Sequence, residues 1–321
     1  MTPDDPEWPR ASAWLAARSD RAGLAVLGVG LSRTSLSPSA AHETPGAVRA
    51  ALRRFSTYHT GSGLDLRDLP VVDHGDLAVD GMPAQAALDT IAAAVAALPA
   101  IPPLVLLGGD NALTRPALVA RAPDLGRAGL LTLDAHHDVR DLHAGPTNGN
   151  PVRGLLDDGL GGGNVVQIGI RAFTNAPAHR RWADEQGVAS VTVAEARREG
   201  VGDCVRRHLD ALAQRCDTLY VDLDLDVLDA AFAPACPGAR PGGLLPAELH
   251  DAAFAAGAHP AVATIDVVEV DAAADPTGIT VDNAALCLLH VAAGVLTRMP
   301  ALGSQVWKSE AQPAVSPSRS V

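Results

Sequence analysis

Short apolar runs alternate with helix-like segments along this chain of 321 residues. The apolar runs have the lengths typical of buried strands, at 24–29, 104–107, 130–134, 165–170, 188–193, 218–224 and 262–270. The helical segments lie between them, at 46–55, 83–98, 177–185, 202–215, 246–256 and 282–297. Almost continuously apolar strands that alternate with helices are typical of a parallel sheet covered on both faces. We therefore predict an α/β fold with a mostly parallel central sheet.

The composition suits one large folded unit. Apolar residues make up 47% of the chain and aromatic residues only 3%, so alanine, valine and leucine must fill most of the core. No internal repeat or linker divides the sequence, and we predict a single domain over 1–321. The ends, 1–12 and about 309–321, are polar and contain proline, and we predict that they are poorly ordered.

The charge and the termini argue against several classes of protein. A net charge of −12 disfavours non-specific nucleic-acid binding, which needs a basic surface. The N-terminus lacks the apolar run of a secretory signal, and no apolar stretch reaches the roughly 20 residues of a membrane span. The four cysteines show no CxxC spacing, and we predict reduced, buried thiols. We expect a cytoplasmic protein with neither nucleic-acid nor membrane partners.

Two acidic segments follow predicted strands, DAHHD at 134–138 and DLDLD at 222–226. Ligands of parallel sheets gather beyond the carboxyl ends of the strands. In an extended chain, alternate residues share one face. That alternation would align Asp134, His136 and Asp138 in the first segment, and Asp222, Asp224 and Asp226 in the second. His137 would point away.

Such a cluster of carboxylates repels itself unless a cation neutralises it. Oxygen ligands with an imidazole suit Mn²⁺ best, and two metal ions about 3.5–4 Å apart can activate a water molecule. A single DxD segment is common as a solvated strand end. Two acidic segments that each follow an apolar strand predict a metal centre instead.

These motifs resemble those of the ureohydrolases, the family of arginase, agmatinase and formimidoylglutamase. The family's GGDH, DAHxD and SxDxDxxDP motifs are similar to 108–111, 134–138 and 222–230. The loop at 231–244 and the DVVEV segment at 266–270 also resemble family segments, and the likeness extends over about 28–293. The resemblance implies a three-layer α/β/α sandwich and a homo-oligomer, commonly a trimer or hexamer.

The resemblance also implies roles for single residues. It assigns two Mn²⁺ ions to a ligand set in which Asp134 and Asp224 are shared, His136 and Asp226 complete one metal, and Asp138 binds the other. It implies that Asp138 and Glu269 are catalytic, with Glu269 facing the cationic end of the substrate. The other end of the substrate would meet Arg140, Asn148, Asn150 and Arg171.

Asn111 departs from the family pattern, because a histidine usually supplies a metal ligand there. We favour weak coordination that leaves the second metal labile. A swing of His137 or His143 into the site, or a single metal, are the alternatives. Asp222 replaces the family's serine, and we expect it to be hydrogen-bonded or paired with an arginine behind the ligands. Asp229 is expected to cap or pair structurally.

Arg140 directs the choice of substrate, since arginine favours bidentate binding of a carboxylate. The DxR arrangement and the TNGNP loop at 147–151 resemble formimidoylglutamases most closely. The implied reaction is hydrolysis of N-formimidoyl-L-glutamate to L-glutamate and formamide. The alternatives are a guanidino hydrolase that releases urea, acting on agmatine or a guanidino acid, and a non-catalytic scaffold or sensor with a degraded metal site.

Overall fold

The structure, a computed structural model, describes residues 5, 7–17, 19, 22–99 and 103–299. Its strands are β1 (Leu24–Val29), β2 (Tyr58–His59), β3 (Leu64–Asp65), β4 (Val71–Leu77), β5 (Leu104–Leu107), β6 (Ala128–Leu133), β7 (Val165–Ile170), β8 (Ala189–Thr192), β9 (Thr218–Asp224) and β10 (Val262–Val268). Eight of them form one sheet in the order β4-β1-β5-β10-β9-β6-β7-β8, and β2 and β3 form a separate antiparallel pair. Every pairing in the large sheet is parallel.

The helices connect these strands and cover the sheet. They are α1 (Ala11–Leu15), α2 (Thr44–Ala51), α3 (Ala84–Ala97), α4 (Thr114–Arg121), α5 (Pro151–Asp158), α6 (Pro177–Gln186), α7 (Val193–Glu199), α8 (Val201–Ala213), α9 (Pro246–Ala258) and α10 (Ile279–Arg298). Short 3-10 helices lie at Ala41–Glu43, Leu52–Arg54, Leu66–Asp68, Asn111–Leu113, Leu125–Arg127, Gly162–Asn164, Leu225–Val227 and Ala272–Ala274. Proline begins α5, α6 and α9, where its fixed φ suits the first turn.

Two apolar cores lie on opposite faces of the sheet. Strand β5 shows why, because alternate side chains of a strand point to opposite faces. Its Val105 and Leu107 belong to the core that includes α8, α9 and α10, whereas Leu104 and Leu106 belong to the core that includes α3 and α4. The predicted three-layer α/β/α sandwich with a parallel sheet is confirmed.

The register of the four central strands positions the functional site. Leu107 of β5 pairs with Val267 of β10, Val267 pairs with Leu223 of β9, and Leu223 pairs with Leu133 of β6. These residues form one row across the sheet, and the polar segments predicted to be functional begin just beyond it. The carboxyl ends of β5, β10, β9 and β6 therefore meet at one edge.

Most predicted strands have the predicted bounds within one or two residues, but several elements were missed. β4 was missed because its sequence, VVDHGDL, is polar and lies largely exposed at the edge of the sheet. Helices α4 and α5 have only 8 residues each, too few to show a clear helical period. Ala11 and Ser12, within the N-terminal segment predicted to be poorly ordered, belong to α1. The predicted poorly ordered segment at 309–321 lies outside the described residues.

Contrary to the expectation that no apolar stretch reaches the length of a membrane span, helix α10 is long and apolar enough by length and composition alone. Of its most apolar 18-residue window, 72% is buried inside the protein, and the helix packs against α9 and α2. These contacts are those of a core helix.

Candidate metal centre

Asp134, His136 and Asp226 form the centre of the site. Each offers a ligand atom, and these atoms all lie within 4.8 Å of one another. His136 Nδ1 lies 2.7 Å from Asp226 Oδ2 and 3.5 Å from Asp134 Oδ1. Both carboxylates are buried, whereas the imidazole is partly exposed to the cavity above. Two carboxylates and an imidazole at this spacing can share one cation.

Tight turns bring these side chains together. Asp134 follows the end of β6, and its Oδ1 accepts a hydrogen bond of 2.6 Å from the backbone N–H of His136. Asp224 ends β9, and its Oδ1 accepts one of 2.7 Å from the backbone N–H of Asp226, which lies in a 3-10 helix. The extended alternation predicted for both acidic segments is therefore wrong beyond the strand ends, because each chain turns there.

A second group of side chains lies beside the first. Asn111 Nδ2 donates a hydrogen bond of 2.6 Å to Asp138 Oδ2, and the backbone N–H of Asn111 donates one of 2.8 Å to Glu269 Oε1. Asn148 Nδ2 donates to the same Oε1 at 3.0 Å. Asp138 and Glu269 have φ angles of 53° and 67°. Residues other than glycine rarely adopt such angles, and this strain concentrates at functional sites.

The charges at the centre perturb one another strongly. Burial, followed by the charge of Asp226, raises the pKa of Asp134 to about 6. Burial disfavours the charged form of His136, but Asp226 and Asp134 outweigh it and raise the pKa of His136 to about 11. The imidazolium in turn keeps the pKa of Asp226 below its ordinary value despite burial. Asp134 and Asp226 thus favour a positive charge at the position of His136.

The surrounding carboxyl groups are perturbed in the same direction as Asp134. Burial and then the charge of Asp134 raise the pKa of Asp138 well above its ordinary value, and burial and then Asp226 do the same for Asp224. Burial and then Asp110 raise the pKa of Glu269 to about 8. Repulsion among buried carboxylates is relieved when a cation binds between them.

The donor set fits a divalent metal ion. Asp134 Oδ2 is buried and has no hydrogen-bond partner, which is costly unless the oxygen binds something else. Carboxylate oxygens with one imidazole are the ligands that Mn²⁺ and similar ions prefer. The orphaned oxygen and the repelling carboxylates therefore indicate a metal site at this edge of the sheet.

A cavity of about 320 Å³ opens above the centre. Its floor is acidic and is formed by His136, Asp138, Asp224, Asp226 and Glu269. Its walls and rim include polar and basic residues, Ser35, Ser37, Arg140, Asn148, Asn175, His179 and Arg240, together with the apolar Leu36, Val139, Phe173 and Pro237. A cationic group is favoured at the floor and an anionic group at the rim.

Arg140 and Asn148, two of the predicted substrate-binding residues, lie on the wall of this cavity. The backbone N–H of Arg140 donates a hydrogen bond of 3.0 Å to Gly149 O, which ties the arginine to the loop that carries Asn148. Asn148 Oδ1 accepts from the backbone N–H of Leu36 at 3.0 Å, so the side chain is held from both ends. The roles of both residues remain predictions.

Arg171 does not line the cavity, and the prediction that it binds substrate is wrong in this structure. Its guanidinium is 6% exposed and donates hydrogen bonds to three backbone carbonyls. These are the carbonyls of Asp226 at 3.0 Å, Leu228 at 3.2 Å and Arg240 at 2.6 Å. Arg171 therefore stabilises the turn that carries Asp226 and lies outside the lining of the cavity, and its Nε is buried without a hydrogen-bond partner.

Asn150 is likewise a structural residue and not a wall of the cavity. It is 2% exposed, and its Oδ1 accepts a hydrogen bond of 2.9 Å from the backbone N–H of Thr147. Its Nδ2 donates to Asp141 O at 3.1 Å and Gly145 O at 3.0 Å. The side chain holds the loop between Asp138 and α5 in shape, which corrects the prediction of substrate contact.

Neither histidine considered as a substitute ligand lies in the metal centre. His137 is buried on the other side of the segment, with Nδ1 2.7 Å from Gln167 Oε1, and points away as predicted. His143 is exposed and pairs with Asp141 at 3.3 Å. Of the three residues considered for this ligand position, Asn111 is the one that lies beside Asp138.

Asp222 and Asp229 lie outside the ligand set. Asp222 is buried beside Asp266, and burial and then Asp266 raise its pKa well above the ordinary value. Of the two expected partners, a hydrogen bond is present, to Asp266 at the paired position of strand β10, and no arginine pairs with Asp222 among the described residues. Asp229 accepts hydrogen bonds from the backbone N–H groups of Ala231 and Gly242, at 3.0 and 2.7 Å, in the structural role predicted for it.

Sequence reasoning missed several residues that line the cavity. Arg240 lies in the glycine- and proline-rich loop after β9, and Asn175 and Phe173 follow β7 at the functional edge of the sheet. Phe173 is unusual because it is fully exposed and has a φ angle of 65°. Position beyond the carboxyl end of a strand was the available signal for these residues.

The parallel α/β sandwich carries a candidate metal centre of carboxylates and one imidazole at the carboxyl edge of its sheet. The arginase family model matches residues 22–294, and the chain belongs to the arginase family. The chain is 35% identical to the formimidoylglutamase of Halalkalibacterium halodurans over 286 residues, which cover 88% of this chain and 89% of that protein.

Solved structures confirm the fold. The formimidoylglutamase of Bacillus subtilis has a TM-score of 0.86 and 33% identity, covering 92% of this chain and 94% of that one. The formiminoglutamase of Trypanosoma cruzi, solved with Mn²⁺, has a TM-score of 0.81 and 22% identity, covering 90% and 99%. At 22% identity, the similarity to the T. cruzi structure supports the fold only.

Proposed function

We propose that this protein hydrolyses N-formimidoyl-L-glutamate to L-glutamate and formamide. The observation that carries the proposal is the polarity of the cavity, which has an acidic floor and arginines at the wall and rim. A planar amidinium matches the floor, and the carboxylates at the other end of the substrate match Arg140 and Arg240. The similarity to formimidoylglutamases over most of the chain supports the same substrate.

The reaction adds the oxygen of water to the formimidoyl carbon and breaks the bond from that carbon to the glutamate nitrogen. That nitrogen leaves as an amine with an added proton, and formamide keeps the other nitrogen. A divalent metal ion in the centre would lower the pKa of the attacking water and polarise the amidine. Asp138 lines the cavity beside His136 and Asp224 and would accept the proton of the attacking water, which then passes to the departing nitrogen.

Glu269 and Asn148 would orient the amidinium. Glu269 Oε1 already accepts hydrogen bonds from Asn148 Nδ2 and from a backbone N–H, which fixes the direction of the carboxylate. An N–H of the substrate can donate to the remaining lone pairs of this carboxylate. Fixed geometry of this kind lowers the entropy cost of reaching the reactive arrangement.

We further propose that the centre holds two Mn²⁺ ions. Asp134 and Asp224 would be shared, His136 and Asp226 would complete one site, and Asp138 with Asn111 would hold the other. The donor set, buried carboxylates with one imidazole, supports the choice of metal. A neutral amide is a weaker ligand than imidazole, so the second ion should be the more labile one.

The test is a substrate screen with purified, Mn²⁺-loaded protein. Formimidoylglutamate, agmatine and guanidinobutyrate are supplied separately, and formamide, urea and ammonia are measured. Release of formamide from formimidoylglutamate is expected. Urea from agmatine or guanidinobutyrate, with formimidoylglutamate left untouched, would show that the protein is a guanidino hydrolase. Bound metal well below one ion per chain, with no turnover of any amidine, would support a non-catalytic scaffold.

The wall of the cavity can be tested separately. Arg140→Ala should raise KM for formimidoylglutamate about 10- to 150-fold, because a charge-assisted hydrogen bond contributes about 1.5–3 kcal/mol. Arg206→Ala is the matched control, since this exposed arginine lies on α8 away from the cavity. An unchanged KM for Arg140→Ala would remove this arginine from the proposal.

The quaternary structure and location are part of the same proposal. We propose a single-domain, cytoplasmic protein that assembles as a homo-oligomer, a trimer or a hexamer. Light scattering after size-exclusion chromatography gives the mass of the assembly directly, and a monomeric mass at micromolar concentration would exclude the oligomer.

A further inference from the structure

A chain of buried hydrogen bonds extends from Asn111 into the protein, on the side away from Asp138. Thr114 Oγ1 lies 2.8 Å from Asn111 Oδ1 and 2.6 Å from Asp266 Oδ2. The hydroxyl of Tyr220 lies 2.6 Å from the same oxygen of Asp266. All of these side chains are 0–1% exposed, and Thr114, Tyr220 and Asp266 do not line the cavity.

The Thr114 hydroxyl cannot satisfy both of these contacts with the amide as it stands. A threonine hydroxyl has one proton and two lone pairs. Asp266 Oδ2 also accepts from the Tyr220 hydroxyl, as an ionised carboxylate does, so with Asn111 Oδ1 on the other side both neighbours of Thr114 Oγ1 are acceptors and one contact of 2.6–2.8 Å lacks a proton. Two buried acceptors facing each other without a proton are unfavourable.

Rotating the amide of Asn111 by half a turn resolves the conflict. Its two ends have the same shape, so the hydrogen-bond partners decide which end points where. Asn111 Nδ2 would then donate to Thr114 Oγ1. Thr114 would donate to the carboxylate of Asp266, which is a stronger acceptor than an amide oxygen and makes the shorter contact. The amide oxygen would face Asp138, and two oxygens that face each other can share a cation.

We propose that Thr114 and Asp266 are positioning residues that hold the amide of Asn111 with its oxygen toward the metal centre. The inference rests on the proposed metal centre and deepens it. Asn111 is then a ligand whose orientation is maintained from behind, not the remnant of a lost ligand. Supporting hydrogen bonds of this kind typically contribute 10- to 100-fold to metal affinity.

The test uses Thr114→Val in the full-length chain, because valine keeps the shape of threonine and removes the hydroxyl. Metal-stripped protein is titrated with Mn²⁺ by calorimetry, and bound ions are counted by elemental analysis. The weaker Mn²⁺ site should lose about 10- to 100-fold in affinity, whereas the tighter site should be unchanged. Thr114→Ser keeps the hydroxyl and should retain most of the affinity.

Thr264→Val is the matched control. Thr264 is also fully buried, in β10, but its hydroxyl has no hydrogen-bond partner. The control should bind Mn²⁺ as the wild type does. Should Thr114→Val fail to fold, Thr114→Ala carries the same expectation, since it has no branched side chain to accommodate.

A double-mutant cycle with Asn111→Ala isolates the effect on the amide. In that background, Thr114→Val should cause no further loss of Mn²⁺ affinity. An equal loss in both backgrounds, an unchanged affinity in the single variant, or only one Mn²⁺ in the wild type would overturn the inference. The substrate screen tests the proposed function separately. If the wild type makes formamide but Thr114→Val does not change Mn²⁺ binding, the proposed function stands and the inference about Thr114 fails.

Discussion

Arg171→Met replaces a buried guanidinium with an apolar side chain of similar length and removes three hydrogen bonds to the backbone. These bonds join Arg171 to the carbonyls of Asp226, Leu228 and Arg240, at 3.0, 3.2 and 2.6 Å. They connect β7 to the turn that carries a candidate ligand and to the loop that follows it. The substitution should therefore destabilise the protein and weaken its metal site together.

The expected magnitude follows from the contacts. A hydrogen bond that involves a charged group contributes about 1.5–3 kcal/mol, and three of them set an upper limit of about 9 kcal/mol. Removal of a buried charge recovers part of this, since the desolvation penalty disappears with it. A loss of about 3–5 kcal/mol in the free energy of unfolding is the result. Affinity for Mn²⁺ should fall about 10- to 100-fold because Asp226 is less firmly held.

Two assays distinguish the structural role of Arg171 from the substrate-binding role predicted from the sequence. Urea titration measures the free energy of unfolding, and steady-state kinetics at saturating Mn²⁺ measures KM. For Arg171→Met, stability should fall while KM stays within about twofold of the wild type. Arg140→Ala should behave in the opposite way, with stability changed by less than about 0.5 kcal/mol. A raised KM for Arg171→Met with unchanged stability would refute the structural role and restore substrate binding.

Three further predictions concern pH, metal and the rim of the cavity. Burial lowers the pKa of His290 to about 4, so between pH 6.5 and 4 the unfolded chain binds a proton that the folded chain does not. The free energy of unfolding, measured by urea titration, should therefore fall as the pH is lowered from 6.5 to 4. The fall should be less steep in His290→Phe. The pKa of Asp134 is raised to about 6, so the proton on this carboxyl stabilises the metal-free protein at low pH, and that contribution is lost as the pH rises through 6. Mn²⁺ binding near pH 6 should therefore release protons. The number released is measured by calorimetry in buffers of different ionisation enthalpy. Phe173→Asn should raise the free energy of unfolding by up to about 1 kcal/mol, because asparagine tolerates the φ of 65° better than phenylalanine does. The ring is fully exposed, so its removal costs no packing. A lower free energy of unfolding would contradict this prediction.

The sequence was most informative where burial alone decides the structure. The strands at Leu24–Val29, Leu104–Leu107 and Val165–Ile170 are apolar on both faces and have the predicted bounds. Continuous apolar runs of this short length are typical of strands that are covered by helices on both faces. The metal centre could be predicted for the same reason, since the two acidic segments lie at the ends of two other buried strands, Ala128–Leu133 and Thr218–Asp224.

The sequence was least informative about polar side chains that serve the backbone. Arg171 and Asn150 both follow the functional edge of the sheet, and both looked available for substrate. Each is instead buried and donates to backbone carbonyls. Because those carbonyls belong to residues that only the tertiary fold brings near, no local pattern distinguishes such a residue from one that faces a ligand.

Asn111 shows how a departure from a motif can be misread from one position alone. Compared with the histidine usual at this place, asparagine looks like a degraded ligand. Its partners change the interpretation. If the Thr114 hydroxyl donates its one proton to Asp266, it can only accept from Asn111, and the amide then has one favourable orientation. A residue with two different ends can act as a ligand only when something fixes which end is presented. The substituted side chain and the pair behind it therefore have to be read together, as one three-residue unit spanning the end of β5, α4 and β10.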